Sequence, residues 1–199
     1  AASPLKIDGH LTDGPWKAAP WTDLFVDIEG DAKPLPRFAT RAAMLWDDEF
    51  FYFAADMEEP HVWGTLTKRD SVICNDNDFE IFLDPDGDGE HYMEFEINPL
   101  NAVWDLYLPK AYNKGGKADH AWDFVGIRHA VQIDGTVNCA DDEDRGWTVE
   151  VAIPWTAMSE YAGCDCPPKG GDAWRVNFSR VEWEWDYHQG GYLRREGVP

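Results

Sequence analysis

Positive charge is scarce in this sequence. Lys and Arg total 17 against 38 Asp and Glu in 199 residues, a formal net charge of −21. Such a field repels phosphate backbones and anionic headgroups, which argues against nucleic acid as a partner. Long apolar runs are missing too: none approaches the ~20 residues of a helical membrane span. The four cysteines, Cys74, Cys139, Cys164 and Cys166, fit no zinc or haem-attachment spacing. The six histidines show no HxH or HxxxH pattern. Without a repeat, low-complexity tract or linker, residues 1–199 read as a single domain.

Aromatic residues, by contrast, are abundant: 14% of the chain, with 11 Trp, exceeds what a core of this size requires. Some rings are therefore expected on the surface, where an indole face can stack on the C–H face of a pyranose. Trp63, Trp122, Trp183, Trp185 and Tyr187 lie in or beside loops and are the expected platforms. Trp16, Trp46, Trp104, Trp147, Trp155 and Trp174 are expected in the core. Four cysteines allow three pairings. Cys164 and Cys166 are too close for an easy mutual bridge, so a disulfide from Cys139 to one of them is expected. Together with Ala1-Ala2-Ser3, which fits a remnant of leader cleavage, this points to a secreted, periplasmic or cell-surface protein.

The most informative stretch is 75–107. In Asp78–Asp84, Phe79, Ile81 and Leu83 alternate with Asp78 and Glu80. In Tyr92–Asn98, Met93, Phe95 and Ile97 alternate with Glu94, Glu96 and Asn98. Side chains alternate between faces along a strand, so each strand offers one apolar and one acidic face. Phe82 intrudes on the acidic side. Between the strands, Asp84, Asp86, Asp88 and Glu90 crowd a Gly-containing turn that resembles the opening of an EF-hand loop, although the twelfth position is Phe95. A calcium ion is expected at this turn. Ala102–Leu108 reads as a third strand. Glu80, Glu94, Glu96, Asn98 and Asp105 would then share one polar face, with Arg41 of the preceding hairpin as counter-charge.

Elsewhere, Arg37–Trp46 and Phe50–Met57 read as a hairpin. Val125–Ile133, Gly146–Ile153 and Ala173–Trp183 read as strands, and Trp21–Val26 as a short one. Leu11–Ala18 and Pro154–Tyr161 are the only helical candidates. Many short strands punctuated by turns predict an all-β fold, a two-sheet antiparallel β-sandwich with one or two short helices.

The opening IDGHLTDGPWKAAPW, the hairpin ATRAAMLWDDEFFYFAADMEEP, the central DFEIFLDPDGDG and YMEFEINPLNAVWDL, and the closing GWTVEVAIPWTAM and WRVNFSRVEW resemble the family 9 carbohydrate-binding modules, and more closely stand-alone family 9-like proteins. The resemblance implies a jelly-roll-like sandwich related to DOMON domains, non-catalytic binding of mono- or oligosaccharides or polysaccharide ends, and structural calcium. It places a sugar-binding carboxylate at Glu80 and an Arg-x-Asn pair at Glu96 and Asn98, so Glu96 stands where an arginine is expected. Asn177 matches a further Asn position. Of the two Trp rings that clamp sugar, the first falls at Cys74 and the second in the region of Trp183, Trp185 and Tyr187. The Trp-rich closing segment of such relatives is not found before Pro199. Three alternatives follow: an interaction or structural domain with a degenerate sugar site, a haem-binding DOMON-like domain using His91 and Met93, and hydrolysis by a Glu80–Glu96 carboxylate pair.

Overall fold

The computed structural model describes residues 5–12, 14–188 and 191–195. Ala1-Ala2-Ser3 lies outside them. The first hairpin consists of β1 (Thr40–Trp46) and β2 (Phe50–Glu58). The meander follows as β3 (Asp78–Asp84), β4 (Glu90–Ile97) and β5 (Val103–Lys110). Next come β6 (Arg128–Asp134), β7 (Gly146–Pro154), the one-turn helix α1 (Trp155–Met158) and β8 (Arg175–Val181). A small ribbon of β9 (Trp185–His188) and β10 (Gly191–Arg194) ends the described chain.

Two four-stranded antiparallel sheets result, ordered β1-β2-β7-β6 and β5-β4-β3-β8. The period-2 pattern explains their apposition. Phe53, Ala55, Val149, Val151 and Ile153 on the first sheet meet Phe79, Ile81, Leu83, Met93, Phe95 and Ile97 on the second, all buried in one cluster. The expected β-sandwich is thus the fold. The segment 21–26 forms no strand; it runs beside β1 through one bridge, Trp21 to Ala43, and bonds such as Phe25 N–H to Thr40 O. The helical segment at 14–17 is a 3-10 turn.

That N-terminal segment covers the outer face of the first sheet. Leu5 and Trp16 pack there on Phe50, Tyr52 and Ala54. It is pinned by Glu150, whose carboxylate accepts Asp8 N–H at 2.8 Å, Gly9 N–H at 2.6 Å and Trp16 Nε1–H at 2.5 Å. Gly9 has φ +84°, and a Cβ there would lie 2.8 Å from Gln132 N, so the close approach requires glycine. Glu150→Gln keeps one acceptor oxygen, sets an NH2 donor where the other oxygen accepted, and removes the charge that strengthens these bonds. It is expected to cost about 1–2 kcal/mol in chemical denaturation. An unchanged midpoint would show that the anchor is not the carboxylate.

The cysteine expectation needs correction, because all four are free thiols. The Cys166 thiol donates to Trp155 O, beside the end of β2 where Phe50 pairs with Pro154. Cys139 adjoins Asn138, whose N–H bonds Val62 O beyond the opposite end of β2, where Glu58 pairs with Gly146. Roughly a strand length, ~25–30 Å, separates them, whereas a bridge needs Cα atoms within ~7 Å.

Candidate functional site

The outer face of the second sheet gathers the acids. Rows across β5, β4, β3 and β8 read Trp104–Glu96–Glu80–Ser179 and Leu106–Glu94–Phe82–Asn177, with Asp78 opposite Val181 at the end of β3. These side chains share a face because the alternate residues of β3 and β4, Phe79, Ile81, Leu83, Met93, Phe95 and Ile97, point into the core. The face is roofed rather than bare. Ile73, in the 3-10 turn Ile73–Asn75, packs on Trp104, Leu106 and Leu108, and Cys74 N–H donates to Glu96 Oε2 at 2.9 Å. From the other side the Tyr112 hydroxyl donates to Glu94 Oε2 at 3.0 Å.

As a result four carboxyls sit under cover: Asp78, Glu80, Glu94 and Glu96 are 0%, 8%, 4% and 2% exposed. Among the described residues no Lys, Arg or His forms an ion pair with any of them. Burial, then mutual repulsion, pushes the Glu96 carboxyl up to about 9 and that of Glu94 up to about 7. The same two causes raise Asp78 well above the usual carboxylate range. Burial raises Glu80 as well, against the Ser179 hydroxyl bond that favours its anion. The adjoining Cys74 thiol is pushed up to about 12 by burial and by the neighbouring acids. Desolvation without a counter-ion disfavours the charged form.

Two positions distant in sequence meet at the rim. The Trp183 indole Nε1–H donates to Cys74 O at 2.8 Å, and Trp183 N–H donates to Asn77 Oδ1 at 2.8 Å. One ring face of Trp183 carries the Arg194 guanidinium, 4.2 Å from the ring centroid. Trp183 is half-buried, Ser179 likewise, and Asn177 is exposed, so the β8 side is where the acid face opens to solvent.

Several expected site residues lie elsewhere. Asp105 is paired with Phe95 and so points inward, through the sheet from the acids. There it is fully buried, accepting from Arg69 Nη2 at 2.5 and 2.7 Å and from Phe124 N–H at 2.6 Å. Trp104 takes the opposite side from Asp105, stacking on His120 at the outer face rather than entering the main core. Arg41 is on the other sheet, 2.8 Å from Asp56 and over the Trp21 ring. Asn98 is on the right face but its amide is committed: Nδ2 donates to Leu66 O and Asp76 Oδ2, and Oδ1 accepts from Leu100 and Ala102 N–H. Trp185 turns away from Trp183 and packs against His61 and Tyr192, at 4.6 and 4.7 Å between ring centroids. His91 bonds the Tyr107 hydroxyl while Met93 is in the core, so they do not form a haem ligand pair.

At the β3–β4 turn, Asp84, Asp86 and Asp88 converge, each with an oxygen within 4.8 Å of the others. Asp84 accepts Gly87 and Gly89 N–H, and Asp88 accepts Glu90 N–H, which fixes the turn. Glu90 starts β4 opposite Lys110 and lies outside the trio.

Sequence reasoning put Asp78 on the acidic face of its strand but left it out of the site group, although its two-residue spacing from Glu80 signals the placement. It missed two features. Tyr112, reaching in from a loop, leaves no local signal. The second is a cleft of about 320 Å³ between the sheet edges at β1 and β8, lined by Trp46, Phe51, Trp155, Lys169 and Trp174. Trp46, expected in the core, is 64% exposed, because it ends its strand at the turn.

Comparison with known proteins bears on this geometry. The family model described as carbohydrate family 9 binding domain-like matches residues 7–166, thus β1 through β7 and the acid-bearing strands β3 and β4. A family 9 carbohydrate-binding module from Caldicellulosiruptor kristjanssonii in complex with cellotriose superposes with a TM-score of 0.58 at 17% identity, covering 96% of this chain and 77% of that one. The same organism's module in complex with glucose gives 0.58 at 18%, covering 96% and 78%. A protein from Bacteroides uniformis, provisionally described as carbohydrate-binding, gives 0.61 at 15%, covering 82% and 72%. No curated protein matches the chain. At these identities the structures establish the sandwich. Modules of this family bind without catalysing, which leaves the Glu80–Glu96 pair without a hydrolytic role. The match over 7–166 shows that the chain belongs to the carbohydrate family 9 binding domain-like family.

Proposed function

We propose that this protein binds a neutral mono- or oligosaccharide, or a polysaccharide end, on the β8 side of the acid face, without chemistry. The observation that carries this reading is the meeting of Trp183 with Cys74 beside Glu80 and Glu96. These are the positions at which the family resemblance puts a sugar clamp and its hydrogen-bonding carboxylate. Trp183 supplies the stacking face. Glu80, Ser179 and Asn177 supply acceptors and donors for hydroxyls, and Cys74 in place of a second ring leaves the clamp one-sided. In the same reading Asp84, Asp86 and Asp88 hold a structural calcium. Three convergent carboxylates suit a hard cation, with water or carbonyl oxygens completing its six to eight ligands. Extracellular calcium modules work at ~10⁻⁴–10⁻³ M, which accords with a location outside the cytoplasm.

Calorimetry against a panel including glucose and cellotriose tests the proposal. Saturable heats are expected, and Trp183→Ala is expected to weaken them at least about tenfold, the loss of ~1.4 kcal/mol or more from one stacking face. Silence across a broad panel would instead indicate an interaction domain that has lost its sugar site. A second reading has its own observation. The cleft beside Trp46 and Trp174 is aromatic, open and within the ~300–1,000 Å³ range of small-ligand sites. Heats abolished by Trp46→Ala and untouched by Trp183→Ala would place the sugar there.

A further inference from the structure

We propose that Asp78, Glu80 and Glu96 together hold one divalent cation of the calcium class on the outer face of the second sheet, separate from the aspartate turn. Two independent observations point there. One carboxylate oxygen from each of the three lies within 4.8 Å of the others, a spacing that lets all three reach a single ion at the 2.3–2.6 Å of calcium–oxygen bonds. Asp78 itself is fully buried, and its Oδ2 has no hydrogen-bond partner. A buried carboxylate oxygen without a donor is costly unless something positive meets it. Among the described residues no basic side chain does so. Arg180, the nearest cation by sequence on β8, is paired with Phe79 and faces inward, where Glu59 and Glu182 hold it.

The donor set selects the ion class. All three donors are hard carboxylate oxygens, which suit calcium or magnesium rather than the nitrogen and sulfur ligation of zinc or copper. The set is also preorganised. Val181 N–H fixes Asp78 Oδ1, Cys74 N–H fixes Glu96 Oε2, and the cross-strand pairing fixes Glu80 against Glu96. Glu94, held by Tyr112, stands alongside as further negative charge. Calcium can take both oxygens of a carboxylate, and its remaining positions would face the β8 side, where Glu80 is the most exposed of the four acids. Two vicinal hydroxyls of a sugar are suitable ligands for those positions. That last contact rests on the proposed sugar-binding function; binding of the ion does not.

Calcium titration of the Asp86→Asn/Asp88→Asn protein, in which the turn is disabled, isolates the sheet-face site. One equivalent is expected to bind. At a hundredfold excess over Kd it should raise Tm by roughly 5–10 °C. Adding Asp78→Asn, or separately Glu80→Gln, is expected to abolish that equivalent and to raise Tm in EDTA, since one of several desolvated, crowded carboxyls has been removed. A folded turn-disabled protein that binds no calcium overturns the proposal. So does undiminished binding after both added substitutions. Glucose and cellotriose titrated with and without calcium then separate the two readings. Ion binding without sugar heats leaves the site standing and removes the sugar function; sugar heats indifferent to EDTA remove the ion from recognition.

Discussion

In EDTA the protein is expected to lose stability steadily as pH rises from 5 to 9, by at least about 3 kcal/mol. The main cause is the group of Asp78, Glu80, Glu94 and Glu96, whose carboxyls burial holds above their ordinary range. Glu59, pushed up to about 8 by burial and by Glu182, adds to the fall, and His129, lowered by burial, opposes it at the acid end. For Glu94, folding moves the carboxyl from 4.5 to about 7, and for Glu96 from 4.5 to about 9. Between those limits the native state holds more protons than the unfolded chain, so the slope of stability against pH is negative. Stability present below pH 4.5 is lost through 7 for Glu94 and through 9 for Glu96. One unit is worth about 1.4 kcal/mol, and the acids titrate as a unit, so their individual shifts do not add. Asp47, whose carboxyl the Tyr52 hydroxyl and two backbone N–H bonds hold below its ordinary value against burial, acts the opposite way but below this window. Urea midpoints at several pH values in EDTA read the effect directly. A midpoint flat between 5 and 9, or one that climbs, would mean that these acids are ionised in the fold and already matched by charge.

Arg69→Met is expected to destabilise the protein by about 3–5 kcal/mol and to leave sugar binding per folded molecule unchanged. Arg69 is the only counter-ion that meets the fully buried Asp105 among the described residues. Removing one partner of a buried pair strands the other, which costs far more than the net worth of the pair. Asp105 already lies above its ordinary range through burial, even with Arg69 beside it. Asp105→Asn in the Arg69→Met background removes the stranded charge and is expected to recover much of the loss. Thermal denaturation and calorimetry on the same samples separate the stability effect from binding. A sugar affinity that fell with Arg69→Met in fully folded protein would return Asp105 to the recognition face.

Those two residues also show what the sequence makes legible. The alternation in Asp78–Asp84 and Tyr92–Asn98 is clear apart from Phe82, so the sandwich, its core and the acid row Glu80–Glu96 follow from the pattern. The third strand has no such clarity. Trp104 and Asp105 adjoin in a mixed segment, and polarity suggests an outward acid and an inward indole. The structure has the reverse, because Arg69 and Phe124 N–H satisfy the buried carboxylate and Ile73 and His120 cover the ring. Partners that arrive from distant loops decide the matter, and no local spacing reveals them. The same limit hides the occupancy of Asn98 by Asp76 and Leu66 and the separation of Trp185 from Trp183. Free thiols in place of a disulfide follow from a distance across the sheet that cysteine counting does not contain.

Backbone amide shifts on titrating glucose or cellotriose into the calcium-loaded protein test the account most directly. Saturable shifts are expected at Cys74, Glu80, Asn177, Ser179 and Trp183. Shifts gathered instead at Trp46, Phe51, Lys169 and Trp174, or absent from both places at millimolar sugar, would contradict recognition on the acid face.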